Sequence, residues 1–348
     1  MSDFAYELIA WQKVHGRHDL PWQNTTDPYA IWVSEIMLQQ TQVSAVIGYY
    51  SKFMQRFASI ASLAAATQEE VLQYWSGLGY YSRARNLHRA AIIIIENHDG
   101  AFPHEFEKMQ ALPGIGRSTA AAIASFAFNQ IETILDGNVK RVLARHFLIA
   151  GWPSQPKVEK ELWLLAEQLL PATQMIAYTQ GLMDLGATLC TRSKPQCIQC
   201  PLKHSCAAYH QQRVHELPTP KPRKTIPEKN TTMLILQHAN SVMLEKRPPL
   251  GIWGGLWSFP EADAEEILAI EPLVKKRFGI SANSGQALPL LSHAFTHFKL
   301  HIQPQMLHVS QLDPHASEAG QIWLSIEDAI NAAIPTPVRK ILQSLLKA

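Results

Sequence analysis

The chain has 348 residues, 47% of them apolar, and a formal net charge of +2. That length suits two domains that each bury a core, and no apolar run reaches membrane-spanning length, so no membrane span is expected. The near-neutral charge is weak support for a nucleic-acid partner, so basic residues must be judged by where they fall.

The N-terminus, MSDFAYELIA, carries an early acid and no basic region; it does not read as a signal peptide, and a cytoplasmic protein is expected. Asp27-Pro28 reads as an N-cap followed by proline at the first helical position, opening a helix through YAIWVSEIMLQQTQVSAVIGYY. Within it Glu35 has Ile31 and Trp32 one turn before and Leu38 and Gln39 one turn after, so it falls on the side expected to be buried. A carboxyl group desolvated there would have a raised pKa, as a general acid near neutral pH requires. The alternative is a glutamate at the rim of the core, solvated or paired with an arginine. The run Ile92–Ile95, closed by Asn97 and Gly100, reads as buried helix. Basic residues gather at Arg83, Arg85 and Arg89, at Lys140, Arg141 and Arg145, and at Lys221, Arg223 and Lys224; each group alone reads as a solvated helix face.

Residues 112–142 say most. Leu112-Pro113-Gly114-Ile115-Gly116 is a tight turn running into an alanine-rich helix, Ser118 to Phe128. Gly114 and Gly116 lack a Cβ, so backbone can approach a ligand, and free N–H groups at the helix start favour an anion. Asp136 follows about twenty residues on, in LDGNVKRV. An ordinary helix–helix turn with a surface aspartate is the alternative. All four cysteines fall in one cluster, Cys190-x6-Cys197-x2-Cys200-x5-Cys206. Nothing suggests secretion, so metal ligation outranks disulfides, and four thiolates suit either zinc or a [4Fe–4S] cluster.

Residues 209–230 contain Pro218, Pro220, Pro222 and Pro227 and read as a semi-rigid linker. Beyond it, TTMLILQHANSVMLEK predicts a hairpin, followed by glycine-rich GIWGGLWSFPE, a helix near 264–278, the strand HFKLHIQ and a terminal helix from about Pro337.

Together these motifs resemble the MutY branch of the helix-hairpin-helix, or endonuclease III, superfamily of DNA glycosylases. The hairpin with its aspartate, VSEIMLQQTQV and the cysteine spacing carry the resemblance. It implies a multi-domain chain: an all-α glycosylase domain over 1–208 that includes an iron–sulfur loop at 190–206, the linker 209–230, and an α+β Nudix-like domain over 231–348. It also resolves the metal question, implying a [4Fe–4S] cluster on Cys190, Cys197, Cys200 and Cys206. The implied function is a monofunctional adenine DNA glycosylase, a monomer acting on double-stranded DNA in which adenine is mispaired with 8-oxoguanine or guanine.

By the same resemblance Glu35 protonates the adenine, Asp136 stabilises the oxocarbenium-like sugar, and Asn138 helps to position groups. Leu20, Trp22 and Gln180 match residues lining the adenine pocket. Gln40 and Tyr80 match residues that enter the duplex beside the lesion. Leu112, Gly114, Gly116 and Ser118 are expected at the DNA. Ser118 stands where bifunctional relatives carry a nucleophilic lysine, and serine cannot form the Schiff base needed for strand cleavage. The helix after Pro260 lacks the glutamates that a Nudix hydrolase uses for magnesium. Phe295-Thr296-His297 matches the family's Phe-Ser-His loop for 8-oxoguanine, with threonine in place of serine. The rivals are an endonuclease III-like glycosylase/lyase acting on oxidised pyrimidines, and a non-catalytic iron–sulfur DNA-binding protein.

Overall fold

The computed structural model describes residues 2–222, 225–263, 265–310 and 320–347. The chain divides into two units: Met1–Ala65 with Asn86–Arg223, and Ala66–Arg85 with Lys224–Ala348. Among the described residues strand structure begins only at Glu228, so a helical part precedes an α+β part, as the sequence leads one to expect.

The helices in chain order are α1 (Asp3–His15), α2 (Pro28–Leu38), α3 (Val43–Arg56), α4 (Ile60–Ala64), α5 (Gln68–Trp75), α6 (Ser82–Asn97), α7 (Phe106–Ala111), α8 (Arg117–Phe128), α9 (Gly137–His146), α10 (Pro156–Gln168), α11 (Met175–Asp184) and α12 (Ala207–His210). The core of the first unit joins Phe4, Leu8 and Ile9 of α1, Ala121 and Ala122 of α8, Val142 and Leu143 of α9, and Tyr178 and Leu182 of α11. The alanines let neighbouring helices approach α8 closely, which a branched side chain would prevent.

Asp27 caps α2 as expected, its side chain accepting from the Tyr29 N–H at 3.0 Å with Pro28 in the first turn. The helix does not run on to Tyr50. It stops at Leu38, because Gln40 adopts a left-handed backbone (φ 57°), and α3 restarts at Val43. Of the isoleucine run only Ile94 is fully buried, while Ile95 is exposed; a four-residue run must circle a helix, so it cannot all face one core.

In the second unit β1 (Glu228–His238) and β2 (Ser241–Lys246) form the expected antiparallel hairpin. The other strands are β3 (Trp257–Ser258), β4 (Glu261–Ala262), β5 (Ala282–Ala287), β6 (Leu291–Ala294), β7 (Lys299–Val309) and β8 (Gln321–Ser325). The sheet runs β3-β2-β1-β7-β5, with β4, β6 and β8 pairing β1, β7 and β2 respectively. β1 and β7 are parallel, from Glu228 opposite Lys299 to Gln237 opposite His308. Such a strand is covered on both faces, which is why Met233–Leu236 is a continuous apolar run.

Helix α13 spans Ile270–Phe278, preceded by a 3₁₀ turn at Glu266–Ala269. The helix expected near 264–278 therefore starts late, and its first residue, 264, lies outside the described residues. Pro272 gives the reason, since it is tolerated in a first helical turn but not farther in. Two more helices, α14 (Ile326–Asn331) and α15 (Thr336–Leu345), close the unit.

Segment 66–85 belongs with this sheet unit. Glu69 pairs with Lys246 at 2.7 Å and accepts from the Trp257 indole; Gln73 donates to the Asn331 carbonyl at 2.8 Å, and Ser76 to that of Ile334 at 2.6 Å.

Candidate active site

In the first unit a cavity of about 670 Å³ opens beside α2 and α11, well within the size range of small-ligand sites. Leu20, Trp22, Glu35 and Gln180 all line it, so three separate stretches of the sequence converge. The loop before α2 is held by its own polar groups: Gln23 accepts from the Leu20 N–H (3.0 Å) and donates to the Arg17 carbonyl (3.0 Å). Trp22 packs edge-on against Tyr50, with ring centres 5.3 Å apart. Burial, and secondarily the negative charge of Asp136, push the Glu35 pKa up from 4.5 to about 8. A carboxyl group so placed is protonated at neutral pH and can donate.

Asp136 caps α9, its Oδ1 accepting from the N–H groups of Asn138 (3.0 Å) and Val139 (2.8 Å). Burial raises its pKa, and those two N–H groups oppose the rise. Asp136 does not line the cavity, but its effect on Glu35 shows that the two carboxyl groups are close enough to couple. Asn138 reaches back to Asp136 Oδ2 at 3.4 Å and accepts from Arg141 at 2.9 Å. Arg141 in turn donates to the carbonyls of Gly186 (2.8 Å) and Cys190 (2.7 Å). Gly186 allows this approach, since a Cβ there would lie 2.5 Å from the Cβ of Asn138. Ser118 has a definite task too: its hydroxyl accepts the Leu135 N–H at 3.0 Å, fixing the chain just ahead of Asp136.

The hairpin turn between α7 and α8 is tied to the end of α2, where Gln39 donates to the Gly114 carbonyl (3.3 Å) and to the Thr119 hydroxyl (3.3 Å). Gly114 has φ +83°, a conformation that favours glycine. Gly116 is different: nothing lies within 4 Å of a Cβ built there, so this side of the turn is open to an outside ligand. Leu112 is buried and holds the turn from within. Gln40, at the end of α2, is exposed.

A second cavity, of about 600 Å³, lies within the sheet unit and is lined by Tyr80, Arg85, Trp253, His293, Phe295, Thr296 and His297, among others. Tyr80 has φ 49° and is 47% exposed, with the Arg83 guanidinium 5.4 Å from its ring centre. Phe295 stacks on Phe298 (4.6 Å) and meets Trp253 (5.5 Å) and His293 (4.6 Å, edge-on). Arg85 donates to the Gly254 carbonyl at 2.8 Å. Arg83 and Arg85 thus serve internal contacts and do not form the solvated face expected of them. Two of the remaining basic residues singled out, Arg223 and Lys224, lie outside the described residues.

All four cysteines line one further cavity, with Arg145, His146 and apolar residues of α9 and the following loop. Burial raises the thiol pKa values of Cys197, Cys200 and Cys206, that of Cys200 to about 12. Arg145 is 2% exposed. It donates to the Cys190 sulfur (3.3 Å) and to the carbonyls of Thr191 (2.8 Å), Val214 (3.0 Å) and Leu217 (2.8 Å). It is therefore an internal cation wrapped in neutral acceptors, where a solvated helix face was expected.

An all-α unit with a hairpin turn, a capped aspartate and a glutamate in a cavity large enough to admit a base defines a helix-hairpin-helix glycosylase, here followed by a Nudix-like sheet. The comparisons agree. The profile of the HhH-GPD superfamily of base excision DNA repair proteins matches residues 33–168, and that of the NUDIX domain matches 231–344. A solved thermostable thymine-DNA glycosylase is 29% identical with a TM-score of 0.54, covering 60% of this chain and 95% of its own. The adenine DNA glycosylase of Buchnera aphidicola subsp. Acyrthosiphon pisum is 39% identical over 99% of this chain and 98% of its own. That of Homo sapiens is 34% identical over 99% of this chain and 74% of its own. The chain belongs to the adenine DNA glycosylase family.

Sequence reasoning missed Asp184, Arg145 in its internal role, and the backbone task of Ser118. Of the polar ties around Asp136, only Asn138–Arg141 carries a sequence signal, the three-residue helical spacing.

Proposed function

We propose that this chain is a monofunctional adenine DNA glycosylase, removing adenine mispaired with 8-oxoguanine or guanine from duplex DNA and acting as a monomer. The observation that carries the reading is Glu35: a carboxyl group with a pKa near 8, set in a cavity large enough to admit a base and coupled to a second, capped carboxylate. An adenine rotated out of the stack enters the cavity. Glu35 protonates the base, which leaves as a neutral group, and Asp136 offsets the positive charge that develops on the sugar. Asn138, held by Arg141, fixes the Asp136 carboxylate, and water completes the hydrolysis. The open turn at Gly116 and the N-terminus of α8 take a DNA phosphate.

The donor set around the cysteine cavity suits a [4Fe–4S] cluster: four thiols share one cavity, and buried Arg145 needs a negative neighbour that its carbonyl acceptors cannot supply. When bound, the cluster provides that negative charge and cross-links the loop. A glycosylase assay tests the reading, using an adenine:8-oxoguanine duplex with and without hot alkali. Strand cleavage only after alkali supports it. Cleavage without alkali on oxidised pyrimidines would favour a glycosylase/lyase, and binding alone a non-catalytic protein.

Two predictions follow from the geometry. Ser118→Lys should bring an amine toward the sugar and produce an adduct that borohydride traps on adenine-containing duplex. Because the change also breaks the Ser118–Leu135 hydrogen bond, we expect adenine release to slow by roughly 1 kcal/mol in the barrier, about fivefold. No trapped adduct under any condition would remove position 118 from reach of the sugar.

The second concerns lesion reading. Tyr80, Phe295, Thr296 and His297 share one cavity, so Phe295→Ala with His297→Ala should lower the preference for 8-oxoguanine over guanine by about ten- to a hundredfold, the equivalent of 1–3 kcal/mol. Single-turnover rates on the two duplexes measure it. An unchanged ratio would place recognition elsewhere.

A further inference from the structure

Asp184 closes α11 one turn after Gln180, and its side chain is completely buried, at 0% exposure. Oδ1 accepts from Gln180 Nε2 (2.8 Å) and from Arg17 Nε (2.7 Å), while Oδ2 accepts from the Arg17 backbone N–H (2.9 Å). A carboxylate has no proton to give, so it can hold the Gln180 amide only by its NH₂ end. The carbonyl oxygen of Gln180 is then the end left for the cavity, which Gln180 lines with Glu35, Trp22 and Arg17. Gln23, which also lines the cavity, has both ends of its amide engaged within its own loop.

We infer that Asp184 is a positioning residue that sets the base selectivity of this cavity, turning Gln180 so that it offers an acceptor to the exocyclic amine of a purine. This rests on the reading that the cavity takes adenine and adds the reason it takes no other purine there. A base with a carbonyl in place of the amine, as in hypoxanthine or guanine, would set two oxygen acceptors against each other in a desolvated site. A base with hydrogen there would leave the Gln180 oxygen without a donor. A site built to bond an N–H group rejects analogues lacking it far more strongly than a site that discriminates by shape. Arg17 completes the device. It pairs with Asp184 through its side chain and its backbone N–H, and so anchors the loop that carries Leu20 and Trp22.

The test compares single-turnover excision of adenine, purine (no amine) and hypoxanthine, each opposite 8-oxoguanine, by the full-length protein and two variants. Dividing each variant's rate by the unaltered protein's rate on the same duplex cancels the bases' different intrinsic lability. Asp184→Asn lets the Gln180 amide turn over. We expect its loss on adenine to exceed its loss on purine at least tenfold, and the hypoxanthine:adenine ratio to rise. Gln180→Leu leaves the Asp184–Arg17 pair in place and should give the same tenfold difference between adenine and purine. Adding Asp184→Asn to Gln180→Leu should not change that difference further. Equal losses on adenine and purine would reduce Asp184 to a structural role and overturn the inference. If Asp184→Asn does not fold, a Gln180→Leu variant without the adenine-specific loss overturns it equally. An unaltered protein that excises none of the three bases would defeat the underlying adenine reading instead, and the two failures are thereby distinct.

Discussion

Glu35→Gln should leave duplex binding close to unchanged and slow adenine release by about 10²–10⁴-fold, the range that a positioned general acid contributes. The amide is nearly the same shape, so the cavity keeps its lining, but it has no proton to donate. The pH profile should change with it. Glu35 carries its proton below about pH 8, so release by the unaltered protein should fall as pH rises through that value. At the acid end activity should fall as Asp136 gains a proton, at a pH above the ordinary carboxylate range because burial raises it. Glu35→Gln should abolish the alkaline limb and keep the acid one. A variant with full activity, or with the same alkaline limb, would take Glu35 out of the chemistry.

The same group makes a statement about stability. Folding raises the Glu35 pKa from 4.5 to about 8, so the folded chain holds this proton more tightly than the unfolded one. The resulting stabilisation is fully present below about pH 4.5 and is lost as pH climbs through about 8. Glutamine stays neutral throughout, so the variant should melt at a higher temperature than the unaltered protein above pH 8. Matching melting curves at low pH would complete the pattern. This opposition of activity and stability is common where a site requires a buried ionisable group.

What could be read from the sequence, and what could not, follows from the range of the interactions. Glu35 was legible because its apolar neighbours lie within one helical turn, and Asp136 because it follows the glycine turn and the alanine-rich helix by about twenty residues. The break at Gln40 was not, since glutamine ordinarily continues a helix and only its left-handed backbone ends this one. Nor was the membership of α5. Its apolar face, Val71, Leu72 and Trp75, would look the same against helices or against a sheet, and the ties to Lys246, Asn331 and Ile334 span more than 170 residues. Asp184 meets Arg17 across 167 residues. Arg145, read in sequence as one of three clustered basic residues, is the anchor of the cysteine loop. Long-range polar pairs of this kind leave no periodic trace.

Arg145 also sets the expectation for Cys200→Ala. If the cavity holds a [4Fe–4S] cluster on four thiolates, removing one ligand should cost the cluster, and with it the negative charge beside the buried guanidinium. Cys197 and Cys206 would not replace that charge, because burial raises their thiol pKa values and favours the protonated form. Arg145 would then be left with its carbonyl acceptors and without the cluster's charge, and a buried charge that loses its partner typically costs roughly 3–5 kcal/mol. For a unit of this size that corresponds to a fall in melting temperature of about 10 °C. Damage should spread along the hydrogen bonds Arg145 makes, opening the loop 190–217 first and then loosening Arg141, which shares the Cys190 carbonyl and holds Asn138 beside Asp136. Cys200→Ala should therefore lose iron, acid-labile sulfide and visible absorbance together, become less soluble, and release adenine more slowly even in its soluble fraction. Adding Arg145→Met should recover part of the lost stability by removing the stranded charge, without restoring iron. A Cys200→Ala protein that keeps its iron and its melting temperature would mean that the loop is held by its own packing. Stoichiometric zinc in anaerobically prepared unaltered protein would replace the cluster with a single ion.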